Sequence, residues 1–288
     1  MFRLVNVSGR AALERDGGWY DLAGLSGDAT LADPLVAVAR HRELHTLHEQ
    51  CVSAVATGRL ADATLDAPVP HPPQVFGIGL NYRDHAGESG VPLPPAPLTF
   101  TKFPSCIAGP NAEVPLSGDM VDWEVEIVAV IGEESSNVSV ADAWSVIAGL
   151  TLGQDISDRA VQMTGVPPQF CLGKSFENFG PIGPALVSID GFDDPDDIAL
   201  WCDVEGERMQ EARTTELIFS IPTLVAYLSS ICRLSPGDLI FTGTPSGVGM
   251  ARGRYLAPGE MLVSGAEVIG TLHNPCVAGR EPYALSLD

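Results

Sequence analysis

Short stretches of alternating apolar and polar residues, rich in β-branched side chains, predict that much of this chain forms strands. The predicted strands cover residues 2–7, 74–80, 98–104, 122–131, 150–155, 234–243 and 256–265. The last two share one pattern, in which Leu-x-Pro-Gly and an acidic residue precede a strand that ends in Thr-Gly or Ser-Gly. Each is therefore interpreted as a Pro-Gly turn that leads into a strand.

Three stretches have apolar residues at helical spacing and predict the main helices. They cover residues 35–56, 139–149 and 220–232. The first would bury one side formed by Leu44, Leu47, Cys51 and Val55. Ser139 and Asp142 resemble a capping box at the start of the second helix, and Pro222 fits the first turn of the third.

Mixed short strands, many turns and few helices predict a β-rich α+β fold and not a doubly wound sheet. The proline-rich stretch over residues 66–73 is interpreted as an extended linker. It divides the chain into a small N-terminal α/β domain, residues 1–70, and a larger domain, residues 71–288.

The predicted strand at residues 122–131 begins with two acids on one face. Successive side chains of a strand point to opposite faces, so Glu124 and Glu126 project together. Val128 and Val130 continue that face. Two carboxylates in one small volume repel each other, and a hard divalent cation between them removes the repulsion. The alternative is a half-exposed strand with surface acids, which is common in a chain with 37 Asp and Glu residues.

The composition mainly argues against certain kinds of partner and location. The 288 residues are 45% hydrophobic, which is enough for a large core. A formal net charge of −21 argues against nucleic acid or an anionic membrane as a partner, because both are bound through basic patches. The first residues lack the apolar core of a signal peptide, and no stretch is apolar for long enough to span a membrane, so we expect a cytoplasmic protein.

The cysteines and the lysines support two separate predictions. The six cysteines show no Cys-x-x-Cys spacing, so we expect reduced and mostly buried thiols. Only Lys102 and Lys174 among the sixteen basic residues are lysines. This preference for arginine indicates that the two positions require a compact ammonium group, and the alternative is chance in an arginine-biased sequence. Lys174 lies in a loop rich in glycine and aromatic residues, where the backbone can approach a ligand closely.

Other polar residues fall where they can act together. His85 and Glu88 are three residues apart, so one helical turn would form either a general-base pair or a solvated surface turn. The glycines and prolines that follow, up to residue 97, suggest a segment that closes over a ligand. Asp155 ends a strand from which a third carboxylate could reach the first two. Arg159 and Gln162 follow on one helical face.

Two further groups have weaker signals. The glycine-rich loop at residues 242–249 lacks the ending of a P-loop, and its Thr244 is interpreted as a carboxylate binder or as part of a plain turn. Three histidines in the first predicted helix have a spacing that could hold a metal, but no fourth ligand accompanies them. A solvated or packed helix face is therefore favoured for His41, His45 and His48.

Taken in order, these motifs resemble the fumarylacetoacetate hydrolase family. The resemblance runs from about residue 74 to residue 275, through the stretches at 79–88, 100–104, 122–126, 154–159, 173–176 and 237–249. It implies a mixed β-roll catalytic domain, usually a homodimer, with a divalent cation at the site. Residues 1–70 match only the loosely defined N-terminal domain of longer members. Val-Glu-Gly-Glu at residues 204–207 replaces the common Val-Asn-Gly-Glu, which we expect to affect a turn and not the chemistry.

The resemblance also implies roles for residues named above. The implied metal ligands are Glu124, Glu126 and Asp155. The implied water-activating pair, on a lid, is His85 and Glu88, and the implied cation beside the substrate is Lys174. Support of the metal site or of the substrate is implied for Arg159 and Gln162.

An all-oxygen shell of three carboxylates and water suits Mg²⁺, with Mn²⁺ or Ca²⁺ as alternatives. A small-molecule 2-oxo acid can chelate such an ion, which stabilises the enolate formed from it. The first hypothesis is a hydrolase that cleaves a C–C bond in an acylpyruvate or related β-diketo acid. The alternatives are an oxaloacetate-type decarboxylase, a keto–enol tautomerase, and a catalytically silent member that only binds metal.

Overall fold

The computed structural model describes residues 1–88 and 92–280. Its strands are β1 (Arg3–Val7), β2 (Arg10–Arg15), β3 (Gly18–Asp21), β4 (Gly58–Arg59), β5 (Leu65–Asp66), β6 (Val75–Gly79), β7 (Leu98–Thr101), β8 (Ile107–Ala108), β9 (Val114–Leu116), β10 (Val121–Asp122), β11 (Val125–Ile131), β12 (Ile147–Gln154), β13 (Ser157–Asp158), β14 (Gly180–Val187), β15 (Ala199–Val204), β16 (Glu207–Arg213), β17 (Leu239–Phe241), β18 (Met261–Ala266) and β19 (Gly270–Ala278).

The α-helices are α1 (Leu22–Ser26), α2 (Pro34–Ala39), α3 (His41–Gln50), α4 (Arg83–Glu88), α5 (Arg159–Gln162), α6 (Phe170–Gly173), α7 (Ile221–Ser229) and α8 (Gly249–Arg252). Short 3-10 helices cover Ala29–Ala32, Leu60–Asp62, Pro104–Cys106, Val140–Val146, Ile189–Gly191 and Thr214–Glu216. Within this described part of the chain, every helix is too short or too polar to traverse a lipid bilayer.

One large mixed sheet carries the strands that matter for the site. Its order is β4-β3-β2-β1-β14-β12-β11-β17-β6-β7. β11 lies between β12 and β17 and is antiparallel to both. A second sheet, in the order β16-β15-β18-β19-β9, shares a hydrophobic core with one face of the first. The predicted β-rich α+β class is confirmed.

The alternation predicted along β11 is confirmed by its two faces. Val125, Ile127 and Ala129 belong to the core shared with the second sheet. Val128 and Val130 belong to a separate core, under the N-terminal helices α2 and α3. Both faces of β11 are buried, so acids on this strand lie inside the protein and not on a half-exposed surface.

The helix predicted over residues 35–56 is wrong in its extent. The chain forms α2 and α3, separated at Arg40, whose backbone leaves helical geometry (φ −108°, ψ 24°). The Arg40 guanidinium bonds to Asp28 (2.6 Å) and to Glu43 (2.9 Å), one on each side of the break. α3 ends at Gln50, and Val55 is 93% exposed, so it does not join the buried face.

The helix predicted over residues 139–149 is wrong in its second half. Ser139 caps a 3-10 helix by accepting a hydrogen bond from the Asp142 N–H (3.2 Å), as predicted. From Ile147 the chain is strand β12, because pairing with both β11 and β14 outweighs the local helical pattern. α7 confirms the third predicted helix but ends at Ser229, which leaves Ile231 exposed.

The N-terminal segment joins the large sheet, because β1 pairs with both β5 and β14. The division into domains at residue 70 stays a prediction. The departure from the family's common Val-Asn-Gly-Glu pattern lies in the turn between β15 and β16. There Glu205 (φ 52°) and Gly206 (φ 77°) adopt left-handed conformations. It therefore affects a turn, as predicted. All six cysteines are free, and four of them are buried.

Candidate metal centre and active site

Three carboxylates meet where β11 begins and β12 ends. Val125 pairs with Gln154 across the two strands, and the Asp155 N–H donates to the Glu124 carbonyl oxygen (2.9 Å). Glu126 is the next residue of β11 on the same face as Glu124. One carboxylate oxygen from each of the three acids lies within 4.8 Å of the other two, and all three residues are buried. The strand register therefore produces the convergence that the sequence predicts.

The Lys174 ammonium lies among these carboxylates. Its Nζ donates to Glu124 Oε2 (3.0 Å), to Asp155 Oδ2 (2.7 Å) and to Ser157 Oγ (2.8 Å). It also lies 5.0 Å from the centre of the Phe100 ring. Lys174 is thus a buried cation beside the acids, and its implied place beside the substrate stays a prediction.

Arg159 reaches the same cluster from α5. Its Nη2 contacts Asp122 Oδ2 (2.7 Å) and Glu124 Oε1 (2.6 Å), and its Nη1 donates to Gln162 Oε1 (2.9 Å). The predicted shared face of Arg159 and Gln162 is therefore present. α6 packs closely on this turn, since a Cβ added to Gly173 would lie 2.6 Å from the Gln162 nitrogen. Glycine at this position lets α6 bring the following Lys174 into the site.

Asp122 also belongs to the site, and the predictions above do not include it. Its Oδ1 accepts from the Gly249 N–H (2.6 Å), and its Oδ2 accepts from the Met250 N–H (3.0 Å) and from Arg159. It therefore fixes the start of α8 relative to the guanidinium. The sequence does contain an indication of this role. Asp122 is two residues before Glu124 in the alternating run, so the same strand period would place both acids on one face.

Burial and neighbouring charges shift the pKa values of Glu124 and Glu126 in opposite directions. Burial raises the pKa of Glu124, but the charges of Lys174 and Arg159 outweigh it and lower the pKa to about 2. Burial, together with the charges of Asp155 and Glu124, raises the pKa of Glu126 well above its ordinary value. Burial lowers the pKa of Lys174, but the two acids beside it outweigh burial and raise that pKa. Glu126 is thus the acid whose charge its neighbours leave least compensated.

These residues fit a hard divalent cation. The donors are all carboxylate oxygens, which Mg²⁺, Mn²⁺ and Ca²⁺ prefer. Burial first, and then the charges of Asp155 and Glu124, disfavour the ionised form of Glu126 and raise its pKa. A cation between the three acids would offset their mutual repulsion and keep Glu126 ionised. The residues that would hold it are Glu124, Glu126 and Asp155.

A pocket of about 260 Å³ opens beside this cluster. One part of its lining is polar and consists of His85, Glu124, Arg159, Gln162, Lys174 and Thr244. The rest is largely apolar and consists of Ile78, Leu80, Phe100, Met163, Phe170 and Met250, with Gly79. The pocket therefore combines a charged region for an anionic group with an apolar wall.

His85 and Glu88 form a pair on α4. His85 Nδ1 lies 3.3 Å from Glu88 Oε2, and the Gly247 N–H donates to both Glu88 oxygens (3.1 and 3.2 Å). Glu88 is thereby anchored to the glycine-rich loop, and His85 lines the pocket. The predicted closing segment includes residues 89–91, which lie outside the described residues.

Thr244 lines the pocket, but its hydroxyl proton is already engaged. Its Oγ1 donates to the Val125 carbonyl oxygen (2.9 Å) and accepts from Gln210 Nε2 (2.9 Å). The nearby Gly243 N–H donates to Glu126 Oε2 (2.7 Å). The observed contacts of this loop therefore hold β11 and its acid, and a direct contact of Thr244 with substrate stays a prediction.

The histidines of α3 have ordinary packing contacts. His41 Nδ1 lies 3.2 Å from the Val38 carbonyl oxygen, and His45 Nδ1 lies 3.5 Å from Asp190. Among the described residues, Glu124, Glu126 and Asp155 are the only group of three or more potential ligands close enough to share an ion. The favoured interpretation of a packed or solvated helix face agrees with this.

Comparison with known proteins places the site in a wider context. The family model for the fumarylacetoacetate (FAA) hydrolase C-terminal domain matches residues 74–277. The fumarylacetoacetate hydrolase domain-containing protein 2 homolog of Dictyostelium discoideum is 41% identical over 228 residues, which are 75% of this chain and 74% of that protein. The mitochondrial oxaloacetate tautomerase FAHD2A of Homo sapiens is 40% identical over 221 residues, which are 75% of this chain and 70% of that protein.

Solved structures extend the likeness beyond the matched domain. A crystal structure from Mycobacterium smegmatis is 43% identical, with a TM-score of 0.89 over 96% of this chain and 99% of that chain. Maleylpyruvate hydrolase from Sphingobium sp. SYK-6, in complex with manganese(II) and pyruvate, is 25% identical, with a TM-score of 0.82 over 96% of this chain and 100% of that chain. The implied fold type is confirmed by these neighbours.

Proposed function

Because the chain belongs to the fumarylacetoacetate hydrolase family, we propose that it is a divalent-metal-dependent enzyme that converts a small 2-oxo acid through its enolate. One observation carries this proposal. Glu124, Glu126 and Asp155 share a buried volume with the Lys174 ammonium, at one side of a pocket. Such a cluster offers oxygen ligands for a cation and a fixed positive charge where an enolate oxygen would develop.

When bound, a divalent cation supplies Lewis acidity that stabilises negative charge on the 2-oxo group. Mg²⁺ or Mn²⁺ is proposed, with Ca²⁺ as an alternative, since all three accept carboxylate oxygens. The neighbour from Sphingobium is described with manganese(II). The chain supplies the remaining contacts, because Lys174 and Arg159 present fixed positive charge to an anionic substrate.

His85 is the group that would move a proton. Its Nδ1 faces Glu88, so in the tautomer that donates to this carboxylate Nε2 is free to accept a proton. The anchored carboxylate orients the ring and stabilises the imidazolium that forms. A base of this kind can take a proton from C3 of a 2-oxo acid or from water.

The reaction that we place first is the keto–enol tautomerisation of oxaloacetate. The sequence alone favours hydrolysis, but relatives that are 38–40% identical to this chain are named oxaloacetate tautomerases. In this reaction His85 Nε2 would take the proton from C3 of the keto form, and the enol would form when the oxygen on C2 gains a proton. No carbon–carbon bond breaks, so the step requires only the enolate-stabilising groups and one base.

Hydrolysis of an acylpyruvate is the second candidate, and two observations favour it. A structural neighbour is a maleylpyruvate hydrolase, and the pocket has an apolar wall that includes Phe100 and Phe170. His85 Nε2 would take a proton from water while the water oxygen bonds to the distal carbonyl carbon. The C–C bond would then break, leaving its electron pair on C3 as the pyruvate enolate, and a carboxylic acid would leave. The enolate would finally gain a proton to form pyruvate.

The test is a substrate panel with metal-stripped protein, with and without Mg²⁺ or Mn²⁺. Faster loss of the enol absorbance of oxaloacetate without pyruvate release would support the tautomerase. Pyruvate release from acylpyruvates would support the hydrolase, and pyruvate release from oxaloacetate would identify a decarboxylase instead. His85→Ala should lose turnover and keep its melting temperature. Full activity in EDTA, or no turnover of any of these substrates by protein that binds Mn²⁺, would refute the proposal.

A further inference from the structure

Lys102 is a buried cation for which the proposed chemistry has no role. It follows β7 directly, its side chain is 0% exposed, and it is absent from the lining of the pocket. Its Nζ donates to Asp155 Oδ1 (2.7 Å), to the Phe179 carbonyl oxygen (3.0 Å) and to the Lys174 carbonyl oxygen. An ammonium group has three N–H donors, so all three are used.

This saturation restricts what Lys102 can do. A buried ammonium is tolerated only while its acceptors compensate for the lost hydration, so each acceptor must stay in place. Lys102 is not among the residues that line the pocket, and its three donors are engaged by the protein. Its influence on chemistry must therefore pass through the groups that it holds.

One of those groups is the third acid of the candidate metal centre. The two oxygens of Asp155 have separate partners, with Oδ1 on Lys102 and Oδ2 on Lys174. The contact with Lys102 thus fixes the rotation of the carboxylate and leaves Oδ2 bound to Lys174, whose Nζ also contacts Glu124. It also places a positive charge against an acid that has Glu124 and Glu126 close by.

The other group is the backbone that carries Lys174. Lys102 Nζ binds the Lys174 carbonyl oxygen, and the adjacent Phe103 N–H donates to Ser175 Oγ (2.9 Å). The Lys102 N–H itself donates to the Val75 carbonyl oxygen on β6 (3.1 Å). The loop with the active-site ammonium is therefore tied, through Lys102, to the edge of the large sheet.

We propose that Lys102 is a positioning residue that holds Asp155 and the Lys174 backbone in the arrangement required for cation binding. The inference rests on the proposed function only in that the three acids bind a divalent cation. Groups that orient metal ligands typically contribute about 10–100-fold to metal affinity. Lys102→Met keeps the length of the side chain and removes the charge and the three donors, and we expect it to weaken Mn²⁺ binding by about that factor.

The first experiment titrates metal-stripped protein with Mn²⁺ alone and follows the free ion by electron paramagnetic resonance. Leu186→Ala is the matched control, because Leu186 is a fully buried core residue of β14 and is not among the residues that line the pocket. Both variants should melt earlier than the wild type, and only Lys102→Met should bind Mn²⁺ more weakly. A merely structural role would lower both melting temperatures and leave both affinities unchanged.

The outcomes separate this inference from the proposed function. Wild-type protein that binds no Mn²⁺ would overturn the cation site and the inference together. Wild-type binding with an unchanged dissociation constant in Lys102→Met would overturn the inference alone.

A second measurement uses the wild-type protein and so does not depend on whether Lys102→Met folds. The chain has only two lysines, so protein labelled with ¹⁵N-lysine has two side-chain ammonium signals. They can be assigned with Lys174→Met. We expect the Lys102 ammonium protons to exchange slowly with water, both without metal and with Mg²⁺. Fast exchange of the Lys102 ammonium in metal-free protein would show that the three contacts do not persist, and would overturn the proposal.

Discussion

Replacement of Lys174 by methionine isolates the electrostatic contribution of its ammonium to the folded state. The Nζ contacts Glu124 Oε2 at 3.0 Å and Asp155 Oδ2 at 2.7 Å, and the side chain is 2% exposed. Removal of one partner from a buried ion pair costs about 3–5 kcal/mol. We expect the lower end, about 3 kcal/mol, because each carboxylate keeps a second cationic neighbour. At roughly 2–4 °C per kcal/mol, the melting temperature in EDTA should fall by about 6–12 °C.

A divalent cation should then stabilise this variant more than the wild type, because it supplies the charge that Glu124 and Asp155 have lost. A ligand that binds only the folded state adds about 2.7 kcal/mol when its concentration is 100 times the dissociation constant. The assay is a series of thermal melts with EDTA and with increasing Mn²⁺. The gap between Lys174→Met and wild type should narrow as Mn²⁺ rises.

Arg233→Met is the control for loss of a positive charge as such. Arg233 is 68% exposed, and its ion pair with Glu134 at 3.4 Å should contribute little. A melting temperature of Lys174→Met in EDTA that equals the wild-type value would refute the buried ion pair. An equal rise in melting temperature with Mn²⁺ in Lys174→Met and in the wild type would refute the idea that the ammonium and the cation share the same acids.

Three further predictions concern separate features. Glu88→Gln should lower kcat by about 100-fold and leave Mn²⁺ affinity unchanged, because His85 loses the carboxylate that orients it; steady-state kinetics check this, and unchanged kcat would contradict it. Gly149→Ala should destabilise by about 1–3 kcal/mol in urea unfolding, because its Cβ would lie 2.2 Å from the Val187 carbonyl oxygen. Burial raises the pKa of Asp238. The folded state therefore favours the protonated carboxyl, and the free energy of unfolding decreases as the pH rises through the folded-state pKa. Asp238→Asn should therefore gain melting temperature relative to wild type as the pH rises from about 4 through the folded-state pKa, and a constant difference would contradict this.

Much of the candidate site could be predicted because its parts lie on short, regular elements. A strand period of two placed Glu124 and Glu126 together, and both are on one buried face. Helical spacing placed Arg159 beside Gln162, which the structure confirms at 2.9 Å. Asp155 was expected at the end of a returning strand, and antiparallel pairing brings it opposite Glu124. Local rules decide the first two positions, and the pairing of two neighbouring strands decides that of Asp155.

Contacts between distant parts of the chain could not be predicted in this way. Lys102 and Asp155 are 53 positions apart, and nothing between them indicates that they pair. The rarity of lysine singled out Lys102, but its partners follow from the packing of β7 against the loop at residue 174. Predicted boundaries of helices are wrong for the same reason. β12 replaces the second half of a predicted helix because two neighbouring strands supply hydrogen bonds. The homodimer and the cytoplasmic location stay predictions, and the named tautomerase relatives are described as mitochondrial.

The pairing of β1 with β14 has a practical consequence for work with this protein. Residues 74–277 resemble a self-sufficient catalytic unit when only the matched region is considered. Excising that region would strip β14 of its neighbour and expose a row of unpaired backbone groups, to which other chains can add. A shortened fragment should therefore precipitate or self-associate, and mutagenesis and crystallisation are better begun from the entire polypeptide.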